Sequence, residues 1–178
     1  LEAVSVTFLP EKQSEFLQLV KDKIDFISGL DNSYKDEIMN YDGSLNKYYE
    51  NKINMLRGPY LNTEYLAFFM ESEKNEIKSD LIRKAINIGF DKAKMIKYLR
   101  NGVGMPANTG FIPIGLPGHR ETNLNKYNPG LAKRYVEEFK KIYNNAPSLK
   151  LTTSSNYLDF CEFIQKELEK LGIEIIID

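Results

Sequence analysis

Residues 149–178 read LKLTTSSNYLDFCEFIQKELEKLGIEIIID, and this stretch decides the fold. Residues 149–153 and 173–177 are rich in Leu, Ile and Thr, which predicts two strands. Between them apolar residues recur every three or four positions, as on one face of a helix that ends at Gly172. The stripe comprises Tyr157, Phe160, Cys161, Ile164, Leu168 and Leu171. A helical crossover of this length predicts parallel neighbouring strands, with a right-handed connection as the default.

Three more helices are indicated upstream, over residues 79–89, 92–100 and 129–143. Each carries an apolar stripe at helical spacing. Asp91 is a suitable N-cap for the second, and Asn128, followed by proline at the first helical position, for the third. A helix over residues 11–23 and one or two surface helices within residues 33–51 are also predicted. Further strands are expected over residues 3–9, 24–29, 52–57 and 62–70, with a turn at Arg57-Gly58-Pro59.

Residues 102–128 are rich in glycine and proline, and we call them the Gly/Pro loop. Regular structure throughout this stretch is excluded, because glycine and proline interrupt both helices and strands. Long irregular segments inside a compact domain usually have a functional role. The loop is therefore the first place to look for a site.

Composition excludes several classes of protein. The net charge is −1 with 28% charged residues, so the basic excess of a nucleic-acid-binding protein is missing. No window is apolar enough for a transmembrane helix. The chain starts without Met and ends in a predicted buried strand, which leads us to expect a piece of a longer protein.

The sequence contains no pattern typical of an active site. Gly102-Val103-Gly104 lacks the lysine and hydroxyl residue of a phosphate-binding loop and follows a helix rather than a strand. Cys161 lies on an apolar helix face, which favours a core position over a nucleophile. The single histidine, His119, has no neighbouring metal ligand, which favours a solvated polar residue. We expect no catalytic residue, metal site or cofactor.

The order of the pieces resembles family 5 extracellular solute-binding proteins. The similarity extends over about residues 4–178, and Phe69 departs from the asparagine that the family often has there. The matching segments are Lys23-Ile24-Asp25-Phe26, residues 61–68, residues 81–87, Phe90-Asp91-Lys92, residues 102–107, Ile112-Pro113, Leu116-Pro117-Gly118, residues 127–132, Leu149-Lys150-Leu151 and residues 168–173.

This resemblance implies an α/β fold like a lobe of a type II periplasmic binding protein, a mixed sheet flanked by helices. Residues 1–178 would form a single lobe, and a first lobe would be encoded elsewhere in the same protein. The implied function is that of the substrate-binding component of an ABC importer, most simply for oligopeptides, and not of an enzyme. The expected partners are a peptide or other small solute and the permease subunits, without nucleic acid. The full-length protein would be periplasmic, or extracellular and anchored as a lipoprotein.

In such proteins the ligand lies in a cleft between two lobes. The predicted cleft-facing residues lie on a strand, in the Gly/Pro loop and in the turn before the last helix. They are Tyr65, Asn108, Thr109, Phe111, Ser154, Ser155 and Asn156. For each there is a structural alternative: Tyr65 as a core aromatic residue, and residues 154–156 as a helix cap. The acidic residue that holds the α-amino group of a peptide in this family follows the last strand, so we do not expect it within this chain.

Other functions stay open at this stage. The same fold could bind a nickel chelate, haem or a sugar, or it could serve as the ligand sensor of a signalling protein. A small α/β enzyme is a further alternative. The sequence that flanks residues 1 and 178 in the gene would separate these possibilities.

Overall fold

The computed structural model describes residues 2–30, 34–58, 60–122 and 124–178. Pro59 of the predicted turn, residue 33 at the start of the predicted surface helices, and Asn123 of the Gly/Pro loop lie outside these ranges. The chain divides into two compact units. Unit 1 runs up to Arg57 and includes Arg100–Gly104, and unit 2 comprises Gly58–Leu99 and Met105–Asp178. The single lobe expected for residues 1–178 stays a prediction.

Unit 2 contains the predicted strand–helix–strand segment. Strands β1 (Ser148–Leu151) and β2 (Glu174–Ile177) pair in parallel, with Leu149 opposite Ile175. Helix α7 (Leu158–Glu169) connects them and follows a short 3-10 turn, Ser155–Tyr157. The α/β class is confirmed. Antiparallel pairing, which a mixed sheet requires, occurs among the described residues only as an isolated bridge between Met39 and Leu45.

The remaining helices of unit 2 are α3 (Asn75–Lys78), α4 (Asp80–Gly89), α5 (Lys92–Leu99) and α6 (Pro129–Tyr143). The predictions for α4, α5 and α6 are confirmed to within one residue, and α3 was not predicted. Together with the sheet, these helices enclose one apolar core. Its members with no exposed surface are Ile82, Ala85, Ala132, Val136, Phe139, Leu168 and Ile173.

Helix α6 begins with the cap that its sequence predicts. The Asn128 side-chain oxygen accepts a hydrogen bond from the Leu131 N–H at 3.0 Å, and Pro129 occupies the first helical position. The cap satisfies one of the backbone donors that every helix N-terminus leaves without an intrahelical acceptor.

Asn128→Ala is therefore expected to lower the free energy of unfolding by about 1 kcal/mol. Urea denaturation followed by circular dichroism measures the change. Asn128→Ser is the matched control, because it keeps an acceptor and should cost only a small fraction of that amount. Equal destabilisation by both variants would show that the side-chain acceptor does not matter.

Unit 1 has its own small core. Helices α1 (Lys12–Val20) and α2 (Lys35–Ile38) contribute Phe16 and Ile38, which pack with Tyr49. The rings of Phe16 and Tyr49 lie edge to face with centroids 5.8 Å apart. One of the one or two helices predicted within residues 33–51 forms, and it is the single turn of α2.

Asn101 is the most buried polar residue of unit 1, with 1% of its surface exposed. Its amide nitrogen donates to the carbonyl oxygens of Met39 at 2.9 Å and Lys35 at 3.3 Å, and its side-chain oxygen accepts from the Lys35 ammonium at 3.2 Å. Its φ angle of 48° lies in the left-handed region, which asparagine tolerates better than most residues. This buried contact was not predicted from the sequence.

The strands predicted over residues 3–9, 24–29, 52–57 and 62–70 are wrong for the described residues, none of which forms a strand there. Val4, Val6 and Phe8, the apolar face of the first segment, are 76%, 70% and 92% exposed. A period-two pattern shows which side chains share a face. A strand also needs a hydrogen-bonding neighbour, and no described segment pairs with these residues.

Candidate functional site

Tyr65 and Phe111 form an exposed aromatic pair in unit 2. Their rings lie nearly edge to face with centroids 5.0 Å apart, and the two residues are 66% and 63% exposed. Thr63 fixes the backbone beside them, because its hydroxyl donates to the Phe111 carbonyl oxygen at 2.9 Å. The alternative of Tyr65 as a core residue is therefore wrong. Two of the predicted site residues, far apart in sequence, form one surface.

The segment that carries Tyr65 presents alternate side chains to opposite sides. Leu66 and Phe68 pack against the core of unit 2, whereas Tyr65 and Phe69 are exposed. Glu64 is directed towards the start of α7, where its carboxylate accepts a hydrogen bond from the Tyr157 hydroxyl at 3.2 Å. The segment thus contacts both the Gly/Pro loop and the 3-10 turn.

Ser154, Ser155 and Asn156 lie in and just before that 3-10 turn, and all are exposed. The alternative of residues 154–156 as a helix cap holds only for Ser154, which is the N-cap residue of the 3-10 turn. Asn156 lies inside that turn, and the N-cap residue of α7 is Tyr157. Neither Ser154 nor Tyr157 makes a side-chain cap bond at these helix starts. The first-turn carboxylate of Asp159, whose charge suits a helix N-terminus, accepts from the Phe160 N–H at 2.8 Å.

Asn108 and Thr109 shortly precede Phe111 in the Gly/Pro loop. Asn108 lines a depression of about 250 Å³ with Asp91, Lys92, Ala93, Lys126 and Tyr127. The Thr109 carbonyl oxygen is 3.5 Å from the Thr122 hydroxyl, a long hydrogen bond across the loop.

A depression of about 750 Å³ lies between α7 and β2 and includes none of the predicted site residues. The Gln165 amide, from α7, donates to the Ile175 carbonyl oxygen there at 2.7 Å. This contact satisfies a carbonyl of β2 outside the pairing with β1. The depression is a groove beside the sheet, and the predicted site lies elsewhere.

His119 forms a hydrogen bond within the Gly/Pro loop, next to Phe111. Its Nδ1 lies 2.8 Å from the Ile112 carbonyl oxygen, and because a carbonyl only accepts, Nδ1 carries the hydrogen. Nε2 is buried without a hydrogen-bond partner among the described residues. The residue is half-buried, so the prediction of a solvated histidine is wrong.

Lys92 contacts the C-terminal end of the Gly/Pro loop. Its ammonium donates to the carbonyl oxygens of Asn87 and Asn125, the latter at 3.1 Å, and lies 5.1 Å from the centre of the Phe90 ring. Burial lowers the pKa of Lys92, and the charge of Asp91 opposes that shift. The sequence analysis named Lys92 only as part of the matching segment Phe90-Asp91-Lys92, and its contacts were not predicted.

Cys161 is buried and unpaired, which confirms its predicted core position. Within residues 2–30, 34–58, 60–122 and 124–178, no three His, Cys, Asp or Glu side chains come together as a metal site would require. In the same ranges, no helix is long and apolar enough to cross a membrane.

Several solved structures have a fold similar to that of this chain. A structure of NikA from Brucella suis in complex with Fe(III)-EDTA superposes with a TM-score of 0.69 at 18% identity, over 95% of this chain and 35% of NikA. The periplasmic binding protein DppA from Helicobacter pylori, in complex with the peptide STSA, gives 0.66 at 20% identity, over 96% and 31%. A periplasmic oligopeptide-binding protein from Thermotoga maritima gives 0.61 at 17% identity, over 96% and 34%.

These similarities show the fold of a type II periplasmic binding protein, and the chain spans about a third of the length of each solved structure. None of the curated proteins matches the sequence. The profile of the family described as "Bacterial extracellular solute-binding proteins, family 5 Middle" matches residues 1–178. The chain therefore belongs to family 5 of the bacterial extracellular solute-binding proteins.

Proposed function

We propose that this chain is part of the substrate-binding component of an ABC importer and that its ligand is an oligopeptide. The family match across residues 1–178 is the observation that carries the proposal. Further support comes from the exposed pair of Tyr65 and Phe111, a surface suited to the apolar parts of a ligand. In the whole protein the ligand would lie between this surface and a first lobe, and permease subunits would receive it.

The mechanism that we propose is closure of two lobes over the ligand. The aromatic pair would contact a ligand side chain, while exposed hydroxyl and amide groups of Ser154, Ser155 and Asn156 would bind polar groups directly or through water. Water-mediated contacts tolerate different side chains, which suits a receptor for mixed peptides. We also propose a periplasmic or extracellular location and a lipoprotein anchor for the full-length protein.

A second candidate ligand is a metal chelate. One observation favours it: the NikA structure with a TM-score of 0.69 contains Fe(III)-EDTA. The peptide remains our first choice because DppA, at 0.66, and the Thermotoga maritima oligopeptide-binding protein, at 0.61, both carry peptide-binding names or ligands. A direct comparison of the two ligand classes separates these candidates.

Isothermal titration calorimetry of the full-length protein should show binding of mixed di- to pentapeptides and no heat with Fe(III)-EDTA. Residues 1–178 alone should bind the same peptides poorly, because one wall of the cleft is missing and water reaches the bound ligand. Submicromolar binding by the isolated chain would contradict the shared cleft. Binding of Fe(III)-EDTA without peptide would replace the first candidate with the second.

A further inference from the structure

The last residues of the Gly/Pro loop are bound to the C-terminal turn of α4 by side chains and backbone together. The Lys92 ammonium bridges the carbonyl oxygens of Asn87 and Asn125. The Asn87 side-chain amide donates to the side-chain oxygen of Asn125 at 2.7 Å, and the Asn128 N–H donates to the Ile88 carbonyl oxygen at 2.8 Å. We call this set of contacts the α4 clamp.

The α4 clamp uses backbone carbonyl groups at the C-terminal end of the helix. The last carbonyl groups of a helix have no intrahelical donor, and a cation near them is favoured by the helix dipole. Asn87 and Ile88 are the third-last and second-last residues of α4, so Lys92 and Asn128 satisfy carbonyls that would otherwise need water. Two of the three donors of the ammonium are thus engaged with backbone of the protein itself.

The clamp connects to the predicted site through the loop. Asn108 and Lys92 line the same depression, so the first half of the loop lies beside the clamp. The contact between the Thr122 hydroxyl and the Thr109 carbonyl oxygen then links the clamped end to the stretch that leads to Phe111. The Thr63 hydroxyl donates to the carbonyl oxygen of Phe111 itself. Contacts at Thr109 and at Phe111 therefore hold the backbone on both sides of Gly110.

We propose that Lys92 is a positioning residue: by fixing Asn125 to the end of α4 it holds the Gly/Pro loop in place, and it sets ligand affinity through Phe111 without touching the ligand. The inference about affinity rests on the proposed function. The inference about the loop does not, and it can be tested without any ligand.

The test uses three variants of the full-length protein. Lys92→Met keeps the aliphatic stem and removes the donors, whereas Lys92→Arg keeps donors that can reach two carbonyls. Lys94→Met is the matched control, because Lys94 lies on the same helix with an exposed side chain. Amide hydrogen exchange over residues 105–127 should be about tenfold faster in Lys92→Met and unchanged in the other two. Unchanged exchange in Lys92→Met, or the absence of rescue by arginine, would overturn the proposal.

Affinity for the mixed peptides is the second readout. Lys92→Met should weaken binding about tenfold, and this loss should disappear when Phe111→Ala is already present, because coupled residues are not additive. Additive losses, or faster exchange with unchanged affinity, would show that Lys92 does not act through Phe111. If the wild-type protein binds no peptide, the proposed function fails, while the exchange measurement still decides whether the clamp holds the loop.

Discussion

Phe139→Ala is expected to lower the free energy of unfolding of unit 2 by about 3–5 kcal/mol, the usual cost of emptying a buried aromatic position. Phe139 has no exposed surface, and it lies on α6 within the core that α4, α6, α7 and the sheet share. Its ring also packs on Tyr143, with centroids 4.6 Å apart. A loss of this size is a large part of the stability of a typical domain. Urea denaturation followed by far-ultraviolet circular dichroism provides the measurement.

Ile142→Ala is the matched control for that prediction. Ile142 lies on the same helix, but 61% of it is exposed, so its removal leaves no cavity. We expect a change within about 0.5 kcal/mol, as for most surface substitutions. Similar losses for Ile142 and Phe139 would mean that α6 is stabilised by its own propensity and not by the core.

The elements that were predicted well from the sequence carry all their signals within one continuous stretch of residues. Helix α6 combines a cap at Asn128, proline at its first position and an apolar stripe over its whole length. The two strands of unit 2 are joined by α7 and pair with each other, so both partners are visible in one stretch of sequence. Such signals are local, and the structure confirms them to within one or two residues at most boundaries.

The unpaired segments show the limit of this approach. Val4, Val6 and Phe8 alternate with polar residues as in a strand, and Tyr65 and Phe69 alternate with Leu66 and Phe68. In the second segment the alternation does separate an exposed side from a core-facing side. The hydrogen-bonding partner that completes a strand is not encoded in the same residues, so periodicity cannot predict it.

The site was predictable only in part for the same reason. Residue type and position in the Gly/Pro loop indicated Phe111, but its contact with Tyr65 joins residues whose proximity no local pattern reports. The contacts of Lys92 depend on where a carbonyl of the distant Asn125 comes to lie. Asn156 failed as a cap because the chain takes a 3-10 turn before α7 begins.

We expect the second large effect at Asn101. Its side chain contacts residues that are distant in the sequence. Asn101→Leu keeps the number and branching of the side-chain heavy atoms but removes the donor that reaches the carbonyl oxygens of Met39 and Lys35 in a site with 1% exposure. The Met39 carbonyl oxygen then loses this donor, and a buried polar group left unpaired costs about 1–3 kcal/mol. Leucine also pays about 1–2 kcal/mol in the left-handed region at φ 48°. The expected loss of stability for unit 1 is therefore about 2–5 kcal/mol.

Asn144→Leu separates the two contributions. Asn144 has almost the same φ angle, 49°, but it is exposed and ends α6 in unit 2, so its replacement should cost only the backbone part, about 1–2 kcal/mol. Hydrogen exchange of the α2 amides reports on unit 1, and urea denaturation reports the total loss. We expect exchange in α2 to increase strongly in Asn101→Leu and to stay unchanged in Asn144→Leu. If Asn101→Leu lost no more stability than Asn144→Leu, the buried amide would contribute nothing beyond its backbone conformation.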